Sequence, residues 1–249
     1  MGLRTFKKAI VVGASSGIGE AIATQLAHEG THVALIARRQ DALERVQEHI
    51  LQRGGKASVF PHDVTQFDEA STLFNRIVTE LNGLDLVIYV AGVMPSIAEH
   101  EYAFEKDRFM IDVNLLGAMA WLNPAAAYME AARDGVLVGI SSVAGERGRR
   151  QNPGYCTSKA ALTTYLESLR NRLHRYGVNV VTVKPGFVAT RMTEGLEKTP
   201  FITTPQDVAR RSIHTARRGA KTIYTKRIWA LVMAVIRWIP SFIFRKLNI

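Results

Sequence analysis

Short apolar runs alternate with amphipathic runs along most of the chain. Six apolar runs have the length and the β-branched content of buried strands, and they occupy residues 7–12, 31–37, 56–62, 84–90, 135–142 and 178–183. Short buried strands that alternate with helices are typical of a parallel sheet covered on both faces by right-handed crossovers. The pattern predicts an α/β fold in a single domain, with a doubly wound parallel sheet of about seven strands.

Apolar residues at helical spacing fill the segments between these runs. The predicted helices span residues 20–28, 40–53, 66–82, 101–133, 153–176 and 205–218. Glycines such as Gly30 and Gly83 stop several of them. The longest segment contains Pro124, which lacks the amide that a helix interior needs, so we expect a break near that residue.

The end of the chain differs from the rest in charge. Asp207 is the last acidic residue, and the ten basic residues beyond it equal the net charge of +10. Residues 228–244 are apolar but contain Arg237 and Pro240, which disfavours a membrane-spanning helix. A helix lying on an anionic lipid surface and a helix packed on the fold or on another subunit both fit this pattern. We therefore divide the chain into a domain, residues 1–225, and a basic amphipathic extension, residues 226–249.

Composition narrows the class of protein. A chain of 249 residues with 47% hydrophobic content suits one ordinary core. Its single cysteine, Cys156, excludes an internal disulfide and indicates a reducing, cytoplasmic setting. If the extension binds lipid, we expect the protein at the inner face of the membrane. The seven histidines are scattered, so no metal site is expected. The apolar bulk of the extension argues against nucleic acid as a partner.

A glycine-rich turn follows the first predicted strand and precedes the first helix. Glycines in this position let a backbone approach a pyrophosphate, which then meets free amides at the positive end of the helix. A plain tight turn is the alternative. We favour a dinucleotide site, whose candidate residues here are Gly13, Ser15, Ser16, Gly17, Ile18 and Gly19.

Residues after the second and third strands bear on the choice of cofactor. Arg38 and Arg39 stand where an NAD-binding protein usually has an acid for the ribose hydroxyls. A guanidinium suits a 2′-phosphate, so the pair favours NADP(H) over NAD(H), with two solvated arginines as the alternative. Asp63 and Val64 end the third strand and are expected to meet the adenine edge.

The chemistry is expected at Tyr155, Lys159 and Ser142. Tyr155 and Lys159 are four residues apart, so on a helix their side chains are neighbours, and the ammonium is expected to lower the pKa of the phenol. Tyr155 could then exchange a proton near neutral pH, while Ser142 at the end of a strand bonds a substrate oxygen. A surface tyrosine beside an ordinary helical lysine is the alternative from these residues alone.

Taken together, these residues resemble the short-chain dehydrogenase/reductase family over residues 7–190. Besides the glycine turn, Asp63, Ser142, Tyr155 and Lys159, the matching pieces in chain order are Ala91-Gly92, Asn114 and Pro185-Gly186 leading to Val188 and Thr190. Val12 and Tyr89-Val90 depart from the family pattern, and the second departure is expected to remove a polar side chain that braces the strand.

The resemblance implies a Rossmann-like fold and hydride transfer between a nicotinamide and a carbonyl or alcohol. It implies that Tyr155 delivers the proton, that Ser142 orients the oxygen, and that Lys159 binds the nicotinamide ribose. It also implies that Asn114 holds a water that relays protons. The implied cofactor residues further along the chain are Ala91, Gly92, Tyr155, Lys159, Pro185, Gly186, Val188 and Thr190, the last for the carboxamide. The family also implies a homodimer or homotetramer through the helices at 101–133 and 153–176, and a mobile lid near 190–204.

Residues 135–249 resemble more specifically the reductase subunits of decaprenylphosphoryl-ribose 2-epimerase systems, through residues 145–150 and 238–247. That resemblance implies a keto-pentose carried on a polyprenyl phosphate as substrate. Arg147, Arg149 and Arg150 could meet the phosphate, or they could form a solvated loop. Met192 in the lid could touch the apolar part of the substrate or simply pack the lid onto the core.

Two other functions fit the sequence. One is a reductase of another lipophilic ketone, such as a 3-oxoacyl or steroid-like compound. The other is an NADP-binding scaffold or regulatory protein that keeps the fold and recruits a partner through its extension. The presence of both Tyr155 and Lys159 argues against a scaffold, which needs neither residue.

Overall fold

A computed structural model describes residues 3–247 and contains a seven-stranded, fully parallel sheet in the order β3-β2-β1-β4-β5-β6-β7. The strands are β1 Lys8–Val12, β2 His32–Ala37, β3 Lys56–Pro61, β4 Leu86–Tyr89, β5 Val136–Ile140, β6 Asn179–Lys184 and β7 Thr222–Tyr224. The predicted doubly wound fold is confirmed. The six strands identified from the sequence all form, and the seventh is the three-residue β7.

Helices cover both faces of this sheet. They are α1 Gly17–His28, α2 Gln40–Gln52, α3 Phe67–Leu81, α4 Phe104–Ile111, α5 Gly117–Ala132, α6 Pro153–Leu173, α7 Pro205–Arg218, α8 Ile228–Trp238 and α9 Ser241–Phe244. Successive residues of a strand point to opposite faces. Val11 accordingly belongs to the core under α1, α2 and α7, whereas Ile10 and Val12 belong to the core under α3, α5 and α6.

The order of the strands reverses next to β1. The chain builds β2 and β3 on one side of β1 and then crosses to place β4 on the other side. In open parallel sheets, ligands bind at such a switch point, beyond the carboxyl ends of the strands. The amides of Gly13 and Ala14 donate to the Ile36 carbonyl, and the amide of Ala91 donates to the Val12 carbonyl. The glycine turn and the loop after β4 therefore meet at this position.

The helix break expected near Pro124 is wrong. Helix α5 runs through Pro124, and the interruption lies earlier, in a π-helical turn at Asp112–Leu116 between α4 and α5. Trp121, Leu122 and Ala125 on both sides of the proline are fully buried in the core. Their packing holds the helix together although one hydrogen bond is missing. Single π turns inside α-helices are frequent at functional sites, and this one carries Asn114.

Tyr89 corrects a second expectation. Its side chain is fully buried at the end of β4, and its hydroxyl donates a 2.6 Å hydrogen bond to the carbonyl of Val113 in the π turn. The residue therefore supplies a polar brace between strand and helix instead of removing one. A phenol reaches farther than a shorter polar side chain, so it can span from β4 to the π turn.

The C-terminal helices pack on the domain with one face only. Trp229 and Met233 of α8 are buried against Val143 and Phe187. The opposite face of the same helix is open, with Leu231 64% exposed and Trp238 86% exposed. No helix within residues 3–247 is both long enough and apolar enough to cross a bilayer.

Candidate active site

Tyr155 and Lys159 lie on the first turns of α6, close to the end of β5. The helix begins at Pro153, which suits a first helical position because its missing amide has no partner there. The Lys159 ammonium lies 5.8 Å from the centre of the Tyr155 ring, as the four-residue spacing requires. Ser142 follows β5, and its hydroxyl is close enough to the Tyr155 phenol to act on the pKa of that phenol. The structure thus brings the three predicted groups together.

Lys159 is deeply buried beneath the site. Its ammonium donates to the carbonyl of Ile140 at 3.0 Å, and only 3% of the residue is exposed. Burial disfavours the charged form and lowers the pKa of Lys159 to about 8. The Lys159 side chain is therefore still mainly cationic at pH 7, and it loses its proton around pH 8, within the range in which enzymes are assayed.

The phenol of Tyr155 departs from the sequence-based expectation. Burial raises its pKa, and this effect outweighs the opposing effects of the Ser142 hydroxyl and the Arg149 charge. Lys159 is not among the groups that shift it. The protein's own groups therefore keep the Tyr155 hydroxyl protonated at neutral pH, the state that a proton donor to a carbonyl oxygen needs.

Asn114 is fully buried in the π turn and braces the site. Its side-chain amide donates to the carbonyl of Val93 and to the Ser158 hydroxyl, both at 3.0 Å. Its side-chain oxygen accepts from the Val93 amide at 2.7 Å. An added Cβ on Gly92 would lie 3.3 Å from both this oxygen and the Lys159 ammonium. Asn114 thus ties the loop after β4 to α6, directly beside Lys159.

The glycine turn has the shape that a dinucleotide needs. Gly13 has a φ of +95°, and a Cβ there would lie 2.5 Å from the Ala91 amide nitrogen. A Cβ on Gly19 would clash with the Gly13 carbonyl. Ser16 precedes α1 in an extended conformation without a side-chain cap, so the first amides of the helix remain available. Ser15 and Ile18 complete this turn, which fits a pyrophosphate.

Four candidate residues for the far end of a dinucleotide follow β2 and β3. The Arg38 guanidinium lies 3.6 Å from the Asp63 carboxylate. Burial acts to raise the pKa of Asp63, but hydrogen bonds from the Thr65 amide and hydroxyl hold it below its usual value. Arg39 stands exposed before α2. Val64, which follows Asp63 in the chain, is buried in the core.

The segment after β6 faces the glycine turn. A Cβ on Gly17 would lie 3.2 Å from the methyl group of Thr190. Val188 is buried and forms a bridge with Thr203. Pro185 accepts a hydrogen bond from the Val143 amide at 3.0 Å, which joins this segment to the turn that carries Ser142. The residues predicted to hold a nicotinamide therefore lie between the glycine turn and Ser142.

The three loop arginines differ in their surroundings. Arg147 donates to the carbonyls of Ile236 and Ile239, and its guanidinium carbon lies 3.9 Å from the centre of the Phe244 ring. Its side chain therefore binds the C-terminal helices. Arg150 is exposed and lies 3.5 Å from the Glu99 carboxylate. Arg149 is close enough to Tyr155 for its charge to lower the pKa of the phenol.

The buried Nε of Arg149 has no hydrogen-bond partner within the part of the chain that the structure describes. The other candidate for substrate contact, Met192, is half-buried in the short turn Arg191–Thr193. Of the three arginines, Arg149 is therefore the one best placed to meet a substrate next to Tyr155.

Two residues near the site were not identified from the sequence. Trp229 of α8 packs directly on Gly186, where a Cβ would overlap its indole ring. Glu146, in the turn after Ser142, forms a buried ion pair with Lys184. The apolar pattern of the extension could not reveal which of its faces packs on the domain. For Glu146, the one available sign was a single carboxylate beside three loop arginines.

Comparisons with known proteins agree with this geometry. A family model described as short chain dehydrogenase matches residues 7–200. An uncharacterized oxidoreductase of Myxococcus xanthus is 36% identical over 189 residues, which cover 76% of this chain and 75% of that protein. An uncharacterized oxidoreductase of Staphylococcus aureus is 37% identical over 210 residues, which cover 84% and 90%.

Two solved structures are also similar over most of their length. A short-chain type dehydrogenase/reductase from Mycobacterium marinum has a TM-score of 0.81 at 28% identity, covering 88% of this chain and 93% of that one. A putative NAD(P) dependent gluconate 5-dehydrogenase from Beutenbergia cavernae, solved with bound NADP, has a TM-score of 0.83 at 25% identity, covering 90% and 97%. The family match spans both the glycine turn and the segment from Ser142 to Lys159.

Proposed function

The chain belongs to the short-chain dehydrogenase family and is an oxidoreductase that acts on carbonyl or alcohol groups, and from this premise we propose that it reduces a ketone with NADPH. The observation that carries the proposal is the meeting of Ser142, Tyr155 and Lys159 at the end of β5, beside a glycine turn shaped for a dinucleotide. A scaffold would need only the turn.

A bound nicotinamide supplies the hydride. The Tyr155 hydroxyl, protonated because burial raises its pKa, donates its proton to the substrate oxygen. The Ser142 hydroxyl lies next to that phenol and would orient the same oxygen. Lys159, whose ammonium lies 5.8 Å from the centre of the Tyr155 ring, would bind the nicotinamide ribose beside the phenol. We thus propose Tyr155 as the proton donor, Ser142 as the group that orients the substrate oxygen, and Lys159 as the cation beside the phenol.

A proton must then return to Tyr155. Lys159 is suited to pass one on, because its pKa of about 8 lies close to neutral. The side-chain oxygen of Asn114 accepts one hydrogen bond and keeps a second acceptor position beside Gly92. Asn114 is therefore suited to hold a water that links Lys159 to solvent. Ser142→Ala and Asn114→Ala should separate the roles, the first slowing the chemical step and the second slowing reprotonation of the phenol.

The preference for NADPH rests on Arg38 and Arg39. Asp63 occupies one side of Arg38 at 3.6 Å, but more than half of the Arg38 side chain is exposed and free to meet a 2′-phosphate. Arg38→Gln should weaken NADPH binding by about tenfold and leave NADH binding unchanged, because only NADPH carries that phosphate. Arg53→Gln, an exposed arginine at the other end of α2, is the control. Equal weakening of both cofactors would contradict the preference.

The substrate proposal is a ketone with a nearby anionic group, and its leading specific form is a polyprenyl-phosphoryl keto-pentose. The Arg149 guanidinium, whose charge acts on Tyr155 and whose Nε has no partner among the described residues, would meet the phosphate, and Met192 would meet apolar substrate. The test compares reduction of keto-sugars with and without the lipid phosphate. Arg149→Gln should raise KM for the phosphorylated form about tenfold, while Arg150→Gln, whose arginine already pairs with Glu99, should have a smaller effect.

The alternative function is the reduction of another lipophilic ketone, such as a 3-oxoacyl or steroid-like compound. This alternative is favoured if the phosphate does not change the rate of reduction and Arg149→Gln leaves activity intact. The exposed apolar side chains of the lid, including Leu196 and Phe201, would suit either substrate. The two candidates therefore differ in the charge of the substrate and agree in its apolar part.

We also propose that the extension holds the protein on an anionic membrane surface, the cytoplasmic face in a cell. Leu231, Val235 and Trp238 form an exposed apolar stripe on α8, and only basic charges follow Asp207 in the sequence. The full chain should co-sediment with phosphatidylglycerol vesicles and not with neutral ones. Trp238→Ser should reduce the binding, whereas Tyr102→Ser, which changes an equally exposed aromatic residue elsewhere, should not.

The assembly we propose is a homodimer or homotetramer through the long central helices. Phe104 and Phe109 of α4 expose 72% and 37% of their surface, and a second chain would bury these two aromatic side chains. Light scattering should give the mass of at least two chains, and Phe104→Glu should shift the mass toward one chain. A wild-type monomer at micromolar concentration would contradict this assembly.

A further inference from the structure

Glu146 is an enclosed carboxylate at which four segments of the chain meet. One oxygen accepts hydrogen bonds from the Lys184 ammonium at 2.6 Å and from the Tyr224 hydroxyl at 2.8 Å. The other oxygen lies 3.4 Å from the Arg237 guanidinium of α8. Its side chain is only 4% exposed. The carboxylate therefore connects the loop after β5 with the ends of β6 and β7 and with the C-terminal helix.

The turn that ends at Glu146 begins at Ser142. Ser142 caps the short helix Val143–Glu146 by accepting a hydrogen bond from the Ala144 amide. The Val143 amide donates to the Pro185 carbonyl, so the turn is fixed to β6 at both of its ends. A Cβ on Gly145 would lie 2.6 Å from the backbone carbon of Lys159, so the turn also rests against α6. A displacement of this turn would move Ser142 relative to Tyr155 and Lys159.

The C-terminal helix is fixed to the same turn from outside. Arg147, the next residue after Glu146, donates to the carbonyls of Ile236 and Ile239 at the end of α8. Arg237 of that helix reaches back to Glu146. The contacts run in opposite directions between residues 146–147 of the turn and residues 236–239 at the end of α8. The position of α8 and the position of the Ser142 turn are therefore linked.

The charges make Glu146 the centre of this arrangement. Burial acts to raise the pKa of Glu146, but the bonds from Lys184 and Tyr224 lower it below its usual value, so the group is ionised at neutral pH. Lys184 is only 9% exposed, and a buried cation without its counter-ion is costly. A neutral side chain at position 146 would leave that cation without compensation and would loosen the turn.

We propose that Glu146 is a positioning residue for the reduction, which holds Ser142 in register with Tyr155 by locking its turn onto Lys184 and onto Arg237 of α8. The C-terminal helix is thereby part of the catalytic apparatus and not only an attachment to a surface. This inference rests on the proposed reductase function, because it concerns the same site.

The test measures ketone reduction by the full chain carrying Glu146→Gln, Arg237→Gln or both. Glu146→Gln should lower kcat by about tenfold to a hundredfold, since small misplacements of a reacting group have effects of that size. Its affinity for NADPH, measured by fluorescence, should stay within about twofold of wild type because the glycine turn lies on other strands. Arg237→Gln should lower kcat by about two- to fivefold, because its half-exposed contact is weaker.

Two further results separate positioning from a general loss of stability. The double variant should be no slower than Glu146→Gln alone, since both changes remove the same contact. Glu146→Asp should recover part of kcat because it restores the charge. The controls are Glu80→Gln and Arg210→Gln, which break exposed ion pairs away from the site and should leave kcat unchanged. If Glu146→Gln does not fold, Arg237→Gln carries the test, because its side chain is half exposed.

The outcomes distinguish this inference from the function on which it rests. A wild-type protein that binds NADPH but reduces no ketone would overturn both. An active wild type together with unchanged kcat in Glu146→Gln and Arg237→Gln would overturn the positioning role and leave the reductase function standing. Additive losses in the double variant would overturn the link between α8 and the Ser142 turn.

Discussion

Removal of the Tyr89 hydroxyl should destabilise the protein more than removal of another phenol with an equally short hydrogen bond. Tyr89→Phe deletes a 2.6 Å bond to the Val113 carbonyl in the fully buried space between β4 and the π turn. Tyr165→Phe deletes a 2.6 Å bond to Asn123 on the surface of α5 and α6. The two substitutions remove the same atom, and the burial of the lost bond is the main difference.

The expected magnitudes follow from that difference. A buried hydrogen bond of this kind contributes about 1–2 kcal/mol, because water does not replace it after the deletion. An exposed bond contributes about 0.5 kcal/mol or less, because water takes its place. For a chain of this size, 1 kcal/mol corresponds to a change in Tm of about 2–4 °C. Tyr89→Phe should therefore lower Tm by about 2–8 °C.

The assay is thermal and urea unfolding of both variants at pH 7, followed by circular dichroism. Tyr89→Phe should also lower kcat by a factor of about 2–5, because the π turn that it braces carries Asn114. If Tyr165→Phe cost as much stability as Tyr89→Phe, or if Tyr89→Phe matched wild type, the bracing role of Tyr89 would be refuted.

Three further predictions concern other parts of the site. Gly13→Ala should abolish NADPH binding in a fluorescence titration and lower Tm, because its Cβ would lie 2.5 Å from the Ala91 amide nitrogen at a φ of +95°. The free energy of unfolding should rise with pH from about 8 towards 10, because burial lowers the pKa of Lys159 from 10.5 to about 8 and the unfolded chain then binds more protons. Urea titrations of Lys159→Met should lack that rise, and above pH 10 the raised pKa of Tyr155 should reverse it. Arg147→Gln should cost about 1–3 kcal/mol in urea unfolding, since two carbonyls at the end of α8 lose a charged donor.

Much of the fold follows from the spacing of apolar residues. Buried strands such as Val136–Ile140 are continuous apolar runs, so their pattern is strong and their type is unambiguous. The strand β7 is only three residues long and partly exposed, so it leaves no such pattern. Pro124 misled the prediction because packing of Trp121 and Leu122 outweighs one missing hydrogen bond. A π turn has no local sequence pattern that would have revealed it.

The candidate site also contains features that the sequence predicts and features that only the structure reveals. Groups at fixed positions on one helix, such as Tyr155 and Lys159, can be placed from their spacing. Contacts between distant segments cannot, and these include Arg147 with α8 and Glu146 with Lys184. The pKa of Tyr155 also needed the structure, because the balance between burial and nearby charges depends on depth. The sequence thus predicted which groups react, and the structure shows the contacts that hold those groups.

The central claim is that Tyr155 delivers the proton during NADPH-dependent reduction of a ketone. Its most direct test compares the initial rates of wild type and Tyr155→Phe on a panel of ketones that includes the phosphorylated keto-sugar, with NADPH binding measured in parallel. We expect Tyr155→Phe to lose about 10²- to 10⁴-fold in kcat and to bind NADPH within about twofold of wild type, because the glycine turn is untouched. A Tyr155→Phe variant that reduces ketones as fast as wild type would contradict it.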